Sequence, residues 1–117
     1  MGKTTKIDLV TLTGQSGESY EFRVYVWDTK FKAVPGVYVV ASRTIEPGEE
    51  PRYQTLFVGA APNLATALKD HPQDECFQMY YGNVIAVLKE EQDERRSSVV
   101  ADLVAALAPP CNSVDAP

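Results

Sequence analysis

His71 is the only histidine of the chain, and Cys76 and Cys111 are its only cysteines. These three side chains are of zinc-compatible type, but none of the close Cys-x-x-Cys or His-x-x-x-His pairings that make a zinc motif specific is present, so no metal site is expected. Two thiols in a chain without an export signal are expected to stay reduced. His71 has no nucleophile or base beside it in the sequence. Placed just before Pro72 at the end of a helical pattern, it is expected to cap exposed carbonyls and to interact well with the helix dipole. The densest carboxylate run, Glu90, Glu91, Asp93 and Glu94, opens another helical pattern. Exposed amides and the dipole favour negative charge there, so the run reads as a helix start and not as a metal cage.

The frame that positions these groups is a chain of 117 residues, 44% hydrophobic and 23% charged, which is the size and composition of one globular domain. No apolar run approaches the ~20 residues that span a bilayer, and the start lacks the apolar block of a secretory signal, so a soluble, cytoplasmic protein with no membrane partner is expected. Met1-Gly2 followed by Thr5 matches a myristoylation pattern only loosely and carries little weight. The formal charge is −5. Residues 1 to 60 balance seven Lys/Arg against seven Asp/Glu, whereas residues 61 to 117 set four against nine and supply the whole excess. An acidic second half is the wrong sign for a duplex-binding surface, which gains affinity by neutralising phosphates. Nucleic acid is therefore an unfavoured partner. Lys3, Lys6, Arg23, Lys30, Lys32, Arg43 and Arg52 are candidates for a local basic strip, with scattered surface charge the commoner explanation.

Lys6 to Thr13 and Tyr20 to Trp27 are rich in β-branched and aromatic residues, and the turn-forming Gly14-Gln15-Ser16-Gly17-Glu18 lies between them, which predicts a β-hairpin. Val37 to Ala41 is an uninterrupted apolar run, as expected of a central strand covered on both faces. Residues 43 to 52 read as a broken loop and Tyr53 to Val58 as a second strand. Pro62 stands near a helix start, Leu64, Ala67 and Leu68 share one helical face, and Pro72 ends the element. Asn83 to Leu88 predicts a further strand. Val100, Leu103, Val104 and Leu107 recur at the spacing of one buried helical stripe, stopped by Pro109-Pro110. The expected fold is α+β: a small, mainly antiparallel sheet with two helices packed on it, plus an N-terminal hairpin. One domain over residues 1–112 comprises the hairpin (1–28) and a core (35–112), followed by a loose tail at 113–117.

Pro35-Gly36-Val37-Tyr38, Leu56-Phe57-Val58-Gly59, Asn63-Leu64 with His71, and the closing Pro109-Pro110-Cys111-Asn112 occur in an order and spacing that resembles the GIY-YIG nuclease family. The resemblance covers residues 35 to 112 and looks nearest to a branch of small bacterial domains ending in a segment similar to Asp102-Leu103-Val104-Ala105…Pro109-Pro110-Cys111-Asn112. It implies phosphodiester cleavage by a divalent metal, a tyrosine and an arginine, whose roles are electrostatic and proton-transferring and so constrain residue type. The first tyrosine is kept as Tyr38. Phe57 stands in the second tyrosine's place, Ala67 in the arginine's, and Val100 in that of the metal-binding glutamate.

Valine cannot ligate a hard cation and alanine cannot clamp a phosphate. Ala67 and Val100 are expected in the core, filling a former cleft. Glu94 and Asp102 are poor substitutes for the missing carboxylate, Glu94 being about 9 Å from Val100 along the helix. The vestigial family positions are thus Tyr38, Phe57, Ala67, His71 and Val100, and the binding candidates are Tyr38, Asn63 and His71. Gly36 and Gly59 are expected to serve close backbone approach, Asn63 to start its helix and Asn112 to support the terminal turn. Trp27 and Tyr80-Tyr81 suit a core or an interface equally. The expected function is a catalytically inactive binding or assembly domain, needing no cofactor, with a protein partner or self-association through the hairpin's sheet edges. The alternatives are a Mg²⁺- or Mn²⁺-dependent endonuclease with a site rearranged around Tyr38, His71 and Glu94, or a nucleic-acid binder that does not cleave.

Overall fold

A computed structural model of the chain describes residues 6–69 and 71–112. The loose tail expected at 113–117, the myristoylation pattern and Lys3 lie outside the described residues. The fold is α+β. Strands β1 (Asp8–Thr13), β2 (Ser19–Val26), β3 (Gly36–Thr44), β4 (Arg52–Ala61) and β5 (Val84–Lys89) form one sheet in the order β1-β2-β5-β3-β4. Every neighbouring pair is antiparallel. The N-terminal strands form the expected hairpin, and β2 joins it to the rest by pairing with β5. No helix among the described residues is long and apolar enough to cross a membrane.

The sheet is covered on both faces, which explains why β3 reads as continuous apolar sequence. Along β3, Val37, Val39 and Ala41 pack on one face with Phe22, Val24, Val58 and the helix α3 (Asp93–Leu107). Tyr38 and Val40 face the other side, with Leu56, Leu64 and Phe77. That second face is covered by two short helices, α1 (Leu64–Ala67) and α2 (Asp74–Met79). Among the described residues there are three helices where the sequence predicts two. The first helix ends before Pro72 as expected, and the unforeseen element is α2, a separate six-residue helix with Asp74 and Glu75 in its first turn.

A bulge in the β3–β4 ladder shapes the second face. Val40 pairs with Phe57 and Ala41 with Thr55, so Leu56 is the extra residue. Alternation along a regular strand would send Leu56 and Phe57 to opposite faces. Here both join the cluster around Tyr38. The segment read as a loop over residues 43 to 52 is shorter than expected, because the ladder continues through Arg43↔Tyr53 and Thr44↔Arg52. Arg43 Nε donates to the Tyr53 hydroxyl at 2.8 Å, and that hydroxyl donates to Asp8 at 2.5 Å. This chain of bonds links β3 and β4 to Asp8 on β1.

On α3 the most buried positions are Arg96, Val99 and Leu103. The stripe expected at Val100, Leu103, Val104 and Leu107 is rotated: Val100, Val104 and Leu107 are partly buried at its flank. Arg96 takes the inward position by satisfying its guanidinium on the carbonyls of Glu90 (3.1 Å) and Glu91 (2.9 Å) and on Asp93 (3.0 Å). Periodicity cannot see an arginine buried in this way. Asp102 projects towards the hairpin turn. Its carboxylate accepts from Ser16 N–H, Ser16 Oγ and the Tyr20 hydroxyl, each at 2.7 Å, while its carbonyl accepts from Gln15 N–H at 3.1 Å. The hairpin is thereby fastened to α3, with a further ion pair between Arg95 and Glu18.

Cys76 and Cys111 form a disulfide, contrary to the reduced pair expected from the sequence. The reason is spatial. Pro109 and Pro110 end α3's course and turn the chain to the outer edge of β4, where Cys111 N–H donates to the Leu56 carbonyl at 2.8 Å. Asn112 completes the attachment: its side-chain amide donates to the Val58 carbonyl (3.0 Å) and its Oδ1 accepts from Val58 N–H (2.7 Å). The amide thus acts as a strand neighbour would and caps an otherwise open sheet edge.

Candidate functional site

Tyr38 sits on the central part of the sheet, paired with Gly59 on β4 and Val87 on β5. Gly59 is required there. A Cβ at that position would lie 2.7 Å from both Cζ and Oη of Tyr38 and 2.7 Å from a Phe57 ring carbon. Gly36 likewise abuts the Leu88 carbonyl, where a Cβ would stand at 2.7 Å. Gly36 serves the close backbone approach expected of it, whereas the groups that crowd Gly59 are side-chain rings.

The Tyr38 hydroxyl lies 2.7 Å from Nε2 of His71. Nδ1 of the same ring accepts the Gln73 backbone N–H at 3.0 Å. An acceptor at Nδ1 carries no proton, so neutral His71 is the Nε2–H tautomer and donates to the tyrosine oxygen. The expected capping of helix carbonyls is not what this ring does. It instead receives an amide from the residue preceding α2, because the chain turns at Pro72 and places Gln73 N–H against the ring.

Aromatic rings enclose the pair. Phe57 stacks on Tyr38 at 5.9 Å between centroids and meets His71 edge-on at 4.9 Å; Phe77 lies 5.1 Å from the His71 ring. Burial pushes the Tyr38 hydroxyl up to about 12 and holds the His71 imidazole below its ordinary value, with the Asp74 carboxylate partly opposing the second shift. Both groups are therefore neutral at pH 7. A cavity of about 230 Å³ adjoins His71, lined by Trp27, Leu68, Asp74 and Phe77 among others.

The five positions expected to be vestigial do not converge on one cleft. Tyr38, Phe57, Ala67 and His71 share the face covered by α1 and α2, and Ala67 is partly buried against that cluster. Val100 is partly buried against the opposite core, on the α3 side of the sheet. The filled cleft expected to contain both Ala67 and Val100 is replaced by two separate cores. Glu94 is exposed in the first turn of α3. A carboxylate at position 94 or 100 starts from the far side of the sheet from Tyr38. Among the described residues no group of three or more His, Cys, Asp or Glu side chains is arranged to hold a metal ion.

Asn63 caps α1 as expected, its Oδ1 accepting from Ala65 N–H at 3.0 Å and Thr66 N–H at 3.4 Å. Of the basic residues singled out in the sequence, Arg43 and Arg52 are paired with Asp8 and Glu49. Arg23, Lys30 and Lys32 instead line a groove with Lys89. That grouping was missed because β2, the following connector and β5 meet only through the sheet order. The one signal available was the alternation Glu21, Arg23, Tyr25 along β2. No protein-family model, curated protein or solved structure matches the chain.

Proposed function

We propose that this chain is a catalytically inactive GIY-YIG-like domain with a binding or assembly role. The observation that carries the reading is the environment of Tyr38: a ring without a hydroxyl, Phe57, packs against both Tyr38 and His71. A general base or water-orienting group is absent from that position, and Ala67 offers neither charge nor hydrogen bond nearby. The order of elements supports the framework half of the proposal, since the Tyr38 strand lies between the Phe57 strand and β5, with a helix after the Asn63-Leu64 pair and another before Pro109-Pro110. Glu94, exposed on α3, and Val100, packed on the other face, place no carboxylate beside Tyr38, and the carboxylate that does act on His71 is Asp74.

Assembly has a physical basis in β1. It is an edge strand with Leu9 exposed at 46%, preceded by Ile7 exposed at 41%. An unpaired strand edge with apolar side chains is a template for a strand from another chain, including a second copy. Incubating purified protein with supercoiled plasmid and Mg²⁺ or Mn²⁺ tests the inactive reading. No nicking above the metal-only control is expected, and metal-dependent nicking abolished by Tyr38→Phe would overturn it. Sedimentation equilibrium at high concentration tests self-pairing, and a strictly monomeric species would remove that arm.

A further inference from the structure

A concavity lies not at Tyr38 but beside it, over β2 and β5. It has a volume of about 570 Å³, within the range of small-molecule sites. Val87, Val34 and Leu64 give it an apolar lining. Its rim carries Arg23, Lys30, Lys32 and Lys89 against the single carboxylate Glu21, a formal +3 within a chain of −5. None of these four cations forms an ion pair among the described residues. The same groove contains Tyr25 and Phe31, whose rings meet edge-to-face at 5.6 Å.

The sheet explains why these groups gather. Phe22 and Val24 point into the α3 core, so the alternating residues Glu21, Arg23 and Tyr25 emerge on the other face. The helices α1 and α2 sit towards β3 and β4, leaving the β2–β5 part of this face to the connector that carries Lys30, Phe31 and Lys32. Arg23 pairs with Val87, and Val87 pairs with Tyr38, so the groove starts one strand from the aromatic cluster.

We propose that this groove binds a compact aromatic phosphate of nucleotide size. The rings of Tyr25 and Phe31 would meet a flat aromatic group, and the four cations would hold its phosphates. Stacking on aromatic side chains combined with a cationic rim is the general chemistry by which proteins take up nucleotides without reading base sequence. Compactness follows from charge. The groove carries a formal +3, and the rest of the chain sums to −8, so a polyanion extending beyond the rim meets a net acidic surface. The proposal does not depend on the fate of the Tyr38–His71 pair.

Titration of the full chain with ADP at low salt, followed by calorimetry, tests it. Saturable binding at one site is expected, weakened at least tenfold by the double variant Arg23→Glu/Lys32→Glu and weakened also by Tyr25→Leu and by added salt. Both charge reversals are at exposed positions, and circular dichroism verifies that the fold is kept. Inorganic pyrophosphate should bind more weakly than ADP, because it lacks the aromatic group. Absence of ADP binding at millimolar concentration, or binding unaltered in the double variant, would overturn the proposal. A single-stranded octathymidylate should bind no more tightly than ADP; tenfold tighter binding would overturn the restriction to a compact ligand.

Discussion

The Tyr38 hydroxyl and Nε2 of His71 are 2.7 Å apart, and the Gln73 amide on the opposite ring nitrogen fixes which of the two carries the shared proton. Protonating His71 would put a hydrogen on Nδ1 against that amide as well as placing charge among aromatic rings. The folded-state pKa is lowered, chiefly by burial. The pair's contribution to stability is therefore present above the ordinary histidine value of 6.5 and is lost as pH falls from there through the folded value. Because His71 is the only histidine, an imidazole NMR titration reads it directly. A pKa below 6.5 is expected, and a pKa at or above it would contradict the buried, doubly bonded ring. Tyr38→Phe should lower stability by about 1 kcal/mol through loss of the hydrogen bond, measured by denaturant unfolding.

Tyrosine ionisation gives a second pH test with the opposite sign. Burial raises Tyr38 to about 12, and burial followed by the Asp102 hydrogen bond raises Tyr20 to about 12. Their contributions are full below the ordinary value of 10 and are lost as pH climbs towards 12. Absorbance titration near 295 nm should show a late component that shrinks in Tyr38→Phe and in Tyr20→Phe. Its absence would place these hydroxyls in water.

Asp102 is the fastening point of the hairpin, and its carboxyl is held below the usual carboxylate value first by Ser16, then by Tyr20. This contribution is present above the ordinary carboxylate value and disappears as pH falls through the lowered one. Asp102→Ala should lower the thermal midpoint and accelerate amide exchange at Gln15 and Ser16 before it affects β3. Unchanged exchange in the turn would mean that the β2–β5 ladder alone holds the hairpin.

The Cys76–Cys111 bridge closes a sequence separation of 35 residues. Chain-entropy reasoning gives about 4 kcal/mol for a loop of that length, with measured effects often smaller. Reduction, or the double replacement Cys76→Ala/Cys111→Ala, should lower the unfolding midpoint, and both should act on the same chain-terminal attachment at β4. A thiol titration that finds two free cysteines in the native, unreduced protein would contradict the bridge.

Introducing the three residues that the resemblance implies tests the separation of the two faces. Phe57→Tyr/Ala67→Arg/Val100→Glu should create no Mg²⁺ or Mn²⁺ binding, because Val100 packs against the core on the α3 side of the sheet while Phe57 on β4 and Ala67 in α1 pack on the opposite face. Divalent affinity in the triple variant, measured by calorimetry, would show that the two faces communicate. Gly59→Ala provides the complementary packing test. Its added methyl meets Tyr38 and Phe57 at 2.7 Å, and overpacking of that kind costs about 1–3 kcal/mol in thermal or denaturant unfolding.

Local sequence was sufficient for the hairpin, the central β3 strand, the Asn63 cap and the acidic start of α3, because each is specified by neighbours a few residues apart. It also placed Gly36 where a backbone carbonyl approaches, whereas the groups that crowd Gly59 are the Tyr38 and Phe57 rings. Its failures have a common cause. Helical periodicity showed that Val100 has an apolar environment but not which of two cores supplies it, and it passed over Arg96 because the carbonyls that satisfy that guanidinium come from a loop.

The amino-acid order by itself determined the elements and their apolar faces, since turn residues, strand alternation and helix caps act over short range. Only the tertiary structure decided that Cys76 meets Cys111, that the bulge brings Phe57 and Leu56 to one side, and that Arg23, Lys32 and Lys89 surround one groove. Those outcomes depend on which strands become neighbours and which face each helix covers. Sheet order is set by long-range pairing and packing, and no spacing along the chain encodes it directly.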